Sequence, residues 1–147
     1  MGQLILPSFS TIYVDTSVLI YSLEGNLDYI SLLQPLWLKF QAGEIEIVSS
    51  ELILMEVLVA PFKRAENFLV NAYEQLLFST RMRLIPISQS VLRNAAQMRA
   101  SSNLKTPDAL HAATALSINC SVFLTNDKGF RNVPNLPTVI LSEVLAS

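Results

Sequence analysis

The sequence has very few of the residues that build disulfide bonds or zinc sites. Of its 147 residues, one is a cysteine and one is a histidine. A single cysteine excludes an internal disulfide, and no Cys/His spacing of the zinc-binding type is available. Cys120 ends an apolar helical segment, so we expect a buried, unreactive thiol. This usage of cysteine is typical of a reducing cytosol.

Charge and long hydrophobic runs are also scarce. Only 15% of the residues are charged and the net charge is −2, so the chain lacks a generally basic surface for nucleic acid, although a local basic patch can suffice. No apolar run approaches the ~18 residues of a membrane span. The first ten residues lack the basic and apolar regions of a signal peptide. We therefore expect a cytoplasmic protein with no membrane segment.

Apolar residues, by contrast, are abundant. They make up 51% of the sequence, which implies either a large core or an apolar surface that meets a partner. The length fits one domain, and we find no linker, repeat or low-complexity tract. We predict a single domain over residues 1–147.

Short β-branched and aromatic runs alternate with longer amphipathic segments. Such alternation is typical of an α/β fold with a parallel sheet. We predict strands at 12–14, 44–48, 83–87, 121–125 and 138–141, and helices at 16–24, 27–42, 49–61, 62–80, 88–100 and 106–118.

Two of these helices carry specific expectations. Pro35 predicts a kink or a division within 27–42. Leu33, Leu36, Trp37 and Phe40 form an apolar stripe there, which we interpret as core, with a groove for a partner's helix as the alternative. In helix 62–80 we place five residues on the apolar side: Phe68, Leu69, Ala72, Leu76 and Leu77.

Acidic residues occur directly after predicted strands or in the first turn of a predicted helix. Asp15 directly follows the first strand, Asp108 lies in the first turn of a helix, and Asp127 follows a strand near the end of the chain. Each also has an ordinary structural explanation: a helix cap, an interaction with the helix dipole, or a turn. Glu56 differs, because its helical neighbours are apolar and a carboxylate there needs water or a partner.

The predicted topology brings these acids together. The carboxyl ends of parallel strands meet at one edge of a sheet, which is where ligands bind in such folds. Carboxylates that converge there repel one another unless a cation balances them. An all-oxygen cluster suits Mg²⁺ or Mn²⁺ rather than zinc. We therefore predict a divalent metal site at this edge.

Four segments resemble the acidic motifs of a known family. The order and spacing of these segments are similar to those of PIN-domain nucleases, and most of all to the VapC-like toxins of prokaryotic toxin–antitoxin pairs. The resemblance covers essentially the whole chain, and the blocks at Asp108 and Asp127 are its most specific parts. The segments are Val14-Asp15-Thr16-Ser17-Val18-Leu19-Ile20, the helix around Glu56, Thr106-Pro107-Asp108-Ala109-Leu110-His111-Ala112-Ala113, and Leu124-Thr125-Asn126-Asp127-Lys128-Gly129-Phe130.

The resemblance implies a three-layer α/β/α sandwich with a central parallel sheet and a metal-dependent endoribonuclease activity that uses Mg²⁺ or Mn²⁺. It also implies an RNA substrate, an antitoxin partner and a homodimer. Gly129 stands where many relatives carry a further acid, so a fifth acidic ligand is not expected. By motif position, the acidic catalytic and metal-binding residues are Asp15, Glu56, Asp108 and Asp127, supported by the hydroxyl groups of Ser17 and Thr125.

Basic residues and the histidine lie beside these motifs. Lys105, Lys128 and Arg131 are candidates for contacts with RNA phosphates, with solvated surface charges as the alternative. His111 follows Asp108 by three residues on the same helix. We interpret it as a packing or hydrogen-bonding histidine, since a metal-dependent nuclease does not need it as a general base.

Three other functions were compared with the nuclease. A haloacid-dehalogenase-like phosphatase needs an acid two residues after Asp15, where this chain has Ser17. A receiver-like domain needs adjacent acids before the first turn, where this chain has Tyr13 and Val14. A PIN-like module that binds RNA or a partner with little catalysis remains the serious alternative, because the presence of the acids does not by itself establish turnover.

Overall fold

A single parallel sheet forms the centre of the molecule. The computed structural model describes residues 2–147, and within them the strands are ordered β3-β2-β1-β4-β5 and are all parallel. In the central strand, Ile12 is in register with Ile47 on one side and with Val122 on the other. The strands are β1 (Thr11–Val14), β2 (Glu46–Ser50), β3 (Arg83–Ile85), β4 (Val122–Thr125) and β5 (Thr138–Ile140).

Helices cover both faces of this sheet. Alternate residues of β1 point to opposite faces: Ile12 and Val14 join one apolar core, and Tyr13 joins the other. The first core packs against α1 to α4 and α7, and the second packs against α6 and a short 3-10 helix at Lys128–Asn132. The α-helices are α1 (Thr16–Glu24), α2 (Leu27–Gln41), α3 (Leu52–Lys63), α4 (Asn67–Phe78), α5 (Gln89–Ala100), α6 (Thr106–Ser117) and α7 (Leu141–Ala146).

This arrangement confirms the predicted three-layer α/β/α sandwich. Strand β2 pairs with one edge of β1, and β4 pairs with the opposite edge of β1. The carboxyl end of β1 is therefore the point where the strand order reverses, which is where α/β sheets of this type bind ligands. None of the helices within residues 2–147 is long and apolar enough to cross a membrane.

The predicted helix over 62–80 is present as α4, but its predicted start is wrong. Helix α3 continues through Pro61 to Lys63, so the proline does not end it. The break comes at Ala65, whose φ of 52° is left-handed, and α4 starts only at Asn67. Phe68, predicted on the buried side, is 89% exposed.

Three smaller expectations also changed. Helix α2 is continuous through Pro35. The residues after Asp127 form a 3-10 helix rather than a simple turn, and the last strand ends at Ile140 and leads directly into α7. The stripe on α2 is core as interpreted, since Leu33, Leu36 and Phe40 are buried and Trp37 packs against them.

Candidate active site

Asp15 is held rigidly at the carboxyl end of β1. It caps α1, and its Oδ1 accepts hydrogen bonds from the Ser17 backbone N–H at 3.1 Å and from Ser17 Oγ at 2.5 Å. Its Oδ2 accepts a hydrogen bond from the hydroxyl of Thr125, at the end of the neighbouring strand β4. The two hydroxyl residues predicted to support the site therefore both orient this carboxylate.

Glu56 reaches the same edge from α3 and is engaged at one oxygen. Its Oε1 accepts a hydrogen bond from Thr16 Oγ1 at 2.6 Å and lies 2.6 Å from His111 Nε2. His111 Nδ1 is 2.7 Å from the Tyr13 hydroxyl, which accepts a hydrogen bond from the Ser50 N–H. His111 is thus a buried connector with both ring nitrogens bonded, as the hydrogen-bonding interpretation predicted.

Asp108 and Asp127 complete the acidic edge. Asp108 lies in the first turn of α6 and is partly buried, whereas Asp127 follows β4, is exposed, and accepts a 2.8 Å hydrogen bond from the Gly129 N–H. Burial raises the pKa of Asp108, and the nearby charge of Asp127 raises it further, with smaller effects of the same sign from Asp15 and Glu56. The four predicted acids therefore act on one another electrostatically.

The pKa values of the other two perturbed carboxyl groups, Asp15 and Glu56, are shifted in opposite directions. Burial raises the pKa of Asp15, although the Ser17 and Thr125 hydrogen bonds partly oppose that effect. Burial would also raise the pKa of Glu56, but the hydrogen bond and charge of His111 outweigh it, so this pKa lies below its ordinary value. Glu56 is thus paired with His111, whereas within residues 2–147 neither Asp15 nor Asp108 forms an ion pair.

The side chains offer the right chemistry for a hard divalent cation. Within the described residues 2–147, no Lys or Arg forms an ion pair with any of the four acids. In that same part of the chain, no three His, Cys, Asp or Glu side chains are arranged closely enough to hold an ion as they stand. The donors offered by the four acids and the two hydroxyl residues are nevertheless all oxygens, the donor type that Mg²⁺ and Mn²⁺ prefer.

The raised pKa of Asp108 predicts how a neutral residue at this position changes the stability of the folded protein. A carboxyl with a raised folded-state pKa destabilises the folded protein above that pKa, and the cost disappears as the pH falls towards the unfolded value of 3.8. Without metal, Asp108→Asn should therefore stabilise the protein at pH 7, and this gain should disappear near pH 3.5.

Thermal unfolding in a chelator at both pH values checks this expectation. Asp28→Asn, at an exposed acid in the first turn of α2, is the control and should bring no gain at either pH. A loss of stability in Asp108→Asn at pH 7 would contradict the assigned charge balance.

The three predicted cationic contacts are placed unequally. Lys105 directly precedes α6, and Lys128 opens the 3-10 helix after Asp127; both are exposed. Arg131 is exposed too, but its guanidinium pairs with Glu143 on α7. Within residues 2–147, Lys105 and Lys128 therefore form no ion pair, whereas Arg131 does.

The sequence interpretation missed several residues of this edge. Asn126 joins β4 to α1, α2 and α7 through its side chain and backbone, and Thr16 and Tyr13 complete the contacts of Glu56 and His111. The position of Asn126, between a strand end and an acid, was the only local signal. The partners of these residues lie far away in sequence, and only the folded chain shows them.

Comparison with known proteins agrees with this architecture. Residues 12–136 match the family model of the PIN domain. The structure is similar to VapBC2 from Rickettsia felis bound to a promoter DNA fragment, with 20% identity, a TM-score of 0.70, and coverage of 88% of this chain and 98% of that one. A search of curated protein sequences gave no match.

Two further solved structures share the fold. A toxin–antitoxin complex from Klebsiella pneumoniae has 24% identity and a TM-score of 0.65, with 88% of this chain and 97% of that chain covered. VapBC-1 from nontypeable Haemophilus influenzae has 17% identity and a TM-score of 0.67, with 90% and 98% covered. The family match spans the strand ends that carry the acids, and the chain belongs to the PIN domain family, whose members are nucleases.

Proposed function

We propose that this protein is a metal-dependent endoribonuclease, the toxin of a toxin–antitoxin pair. The observation that carries the proposal is the acidic edge at the point where the strand order of a PIN fold reverses. The charges of Asp127 and Asp15 both raise the pKa of Asp108, and none of these three aspartates pairs with a Lys or Arg within residues 2–147. An edge of this kind has the charge and donor type that a divalent cation needs.

Each residue has a distinct part in this proposal. Asp15, Asp108 and Asp127 hold the ion, and Ser17 and Thr125 keep Asp15 in one orientation. Glu56 presents its second oxygen to the site, because Thr16 and His111 occupy the first. A bound Mg²⁺ or Mn²⁺ ion would activate water and stabilise negative charge on the phosphate. Lys105 and Lys128 neutralise neighbouring phosphates.

The choice of RNA rests on the likeness of the four motifs to those of VapC-like toxins. Exposure of Lys105 and Lys128 on either side of Asp108 and Asp127 supports a phosphodiester strand as the ligand. A mixed RNA pool with Mg²⁺ or Mn²⁺, and with a chelator in a parallel reaction, tests the proposal. We expect metal-dependent cleavage that leaves a single-stranded DNA pool intact; equal cleavage in the chelator would overturn it.

A second observation supports the antitoxin as partner. Helices α1 and α3 run side by side, joined by the Thr16–Glu56 hydrogen bond near one end and the Glu24–Arg64 ion pair near the other. Both helices carry exposed apolar side chains, which we call the α1/α3 strip: Ile20 and Leu23 on α1, and Met55, Val59 and Phe62 on α3. Solved structures with this fold are toxin–antitoxin complexes.

We propose that an apolar helix of the antitoxin covers the α1/α3 strip and so blocks the acidic edge at its end. A charge introduced in the middle of the strip would have to be desolvated on binding. Val59→Glu should therefore weaken inhibition of RNA cleavage by a co-expressed candidate antitoxin by at least ~10-fold. Leu92→Glu, at an exposed apolar residue on α5, is the matched control and should be inhibited normally.

The alternative is a PIN-like module that binds RNA or a partner with little catalysis. The separation of the carboxylates favours it, since within residues 2–147 no three of them are close enough to share an ion. RNA binding without metal-dependent cleavage, by protein of verified folding, would establish that alternative. Homodimerisation and a cytoplasmic location belong to the same proposal as the toxin, and sedimentation of the purified protein tests the dimer.

A further inference from the structure

Two tyrosines form a stacked pair beside the acidic edge. Tyr21 on α1 and Tyr29 on α2 have ring centroids 4.3 Å apart and an angle of 18° between the ring planes. Both side chains are partly exposed, and both hydroxyl groups point at Asn126, which immediately precedes Asp127. The pair therefore presents its polar ends where β4 meets the candidate active site.

The orientation of the Asn126 amide is fixed by a backbone contact. Its Oδ1 lies 2.8 Å from the backbone nitrogen of Ser142, and a backbone N–H can only donate. The oxygen must therefore face Ser142, which turns the Nδ2 group towards the tyrosines at 3.1 Å from Tyr21 Oη and 3.3 Å from Tyr29 Oη. Both phenols consequently act as acceptors towards Asn126.

A phenol that accepts a hydrogen bond still has its own proton to donate. Within residues 2–147, neither the Tyr21 nor the Tyr29 hydroxyl donates to another protein group. Asn126 thus holds two phenols in place while their protons stay available. Two neighbouring donors of this kind match the oxygens of a phosphate, which accept hydrogen bonds.

The tyrosine pair lies beside the acids, where an uncharged hydrogen-bond donor has an advantage over a cationic one. The Asn126 backbone N–H donates to Ser17 Oγ at 3.1 Å, and that hydroxyl donates to Asp15 Oδ1 at 2.5 Å, so one residue links the pair to the acidic edge. A lysine at this position would pair with the acids and cancel the charge that attracts a cation. Tyrosine hydroxyls donate hydrogen bonds without adding positive charge.

We propose that Tyr21 and Tyr29, held by Asn126, form a subsite for a backbone phosphate of the RNA adjacent to the one that is cleaved. The inference rests on the proposed nuclease function and adds a substrate contact to it. Asn126 is a positioning residue, which acts through the two phenols and through the backbone that carries Asp127.

The test uses a fluorescent RNA oligonucleotide containing one cleavage site. Methylphosphonates, which remove the phosphate charge, replace one phosphate at a time on either side of that site. In wild type, one such replacement should weaken binding in a chelator by ~10-fold. The double variant Tyr21→Phe/Tyr29→Phe keeps the stacked rings, and there the same replacement should change binding less than ~2-fold.

Cleavage of the same oligonucleotide with Mg²⁺ separates the two proposals. The double variant should need ~10-fold more RNA for half-saturation, with an unchanged maximal rate. Asn126→Ala should show the same loss in binding together with a lower rate, because it also frees the Asp127 segment. Tyr73→Phe removes a hydroxyl that bonds Glu24 at the far end of α1, and it should change neither quantity.

Equal binding and equal methylphosphonate sensitivity of wild type and double variant would overturn the subsite, whether or not the RNA is cleaved. A tyrosine-dependent phosphate effect without any cleavage would keep the subsite and overturn the nuclease. A double variant that loses only maximal rate would also overturn the subsite, since that pattern indicates a structural role for the tyrosine pair.

Discussion

Replacing His111 by alanine should lower the free energy of unfolding by about 3 kcal/mol. The histidine is 2% exposed and connects the Tyr13 hydroxyl on β1 with Glu56 on α3. Its removal leaves a buried phenol without its His111 partner and a largely buried carboxylate without one of its hydrogen-bond partners, and it opens a cavity between the sheet and α6. Urea unfolding followed by circular dichroism measures the loss.

The stability lost in His111→Ala should grow as the pH rises. Because the folded-state pKa of Glu56 is lowered, its interaction with His111 stabilises the protein above the unfolded-state value of 4.5 and is lost as the pH falls through the folded-state value. The deficit of His111→Ala should therefore be larger at pH 7 than at pH 3.5. His111→Gln, which can still donate to Glu56, should recover part of the stability. A deficit below about 1 kcal/mol at pH 7 would contradict the role of His111 as connector.

Asp15→Asn should reduce RNA cleavage by at least ~100-fold. The substitution removes the charge of the most central carboxylate. It also replaces one acceptor oxygen by a donor, so it disturbs the bonds from Thr125 or Ser17. Burial raises the pKa of Asp15, so the neutral amide should not unfold the protein.

Single-turnover cleavage at saturating metal measures this effect. Asp28→Asn changes the same kind of side chain at an exposed position on α2 and should cleave RNA like the wild type. Cleavage by Asp15→Asn within threefold of the wild-type rate, with unfolding unchanged, would remove Asp15 from the catalytic residues.

The sheet and the positions of the acids were predictable because both depend on local sequence. Short β-branched runs mark β1 and β4, and a carboxylate directly after a strand must lie at the carboxyl edge of a parallel sheet. The positions of Asp15 and Asp127 follow from that rule, whereas Asp108 lies in the first turn of α6, which follows another helix and not a strand. The resemblance of the motifs added the family, which the match over residues 12–136 confirms.

Other features depend on contacts between distant residues and could not be predicted in this way. Glu56 and His111 are separated by 55 positions, and only the packing of α3 beside α6 shows that they form a pair. The end of α3 depends on the left-handed backbone at Ala65, a conformation that alanine rarely adopts. Helix α7 has only six residues, too few for a helical period to be recognised.

The surplus of apolar residues illustrates the same limit. Composition indicated either a large core or a surface for a partner, and the stripe on α2 was the candidate for that surface. The structure buries most of that stripe and leaves the α1/α3 strip exposed instead, with Met55 and Phe62 each more than half exposed. Periodicity identifies an apolar face on each helix, but it does not show which face the sheet covers.

We propose that a divalent ion at the acidic edge acts on an RNA phosphate. The most direct test compares cleavage in Mg²⁺ and in Mn²⁺ of an RNA whose cleaved phosphate is modified. Sulfur would replace one non-bridging oxygen at the cleaved phosphate of the RNA oligonucleotide. Since Mn²⁺ accepts soft ligands better than Mg²⁺ does, cleavage should slow by ~10-fold or more in Mg²⁺ and recover in Mn²⁺. An equal sulfur effect in both metals, or cleavage that persists in a chelator, would contradict the account.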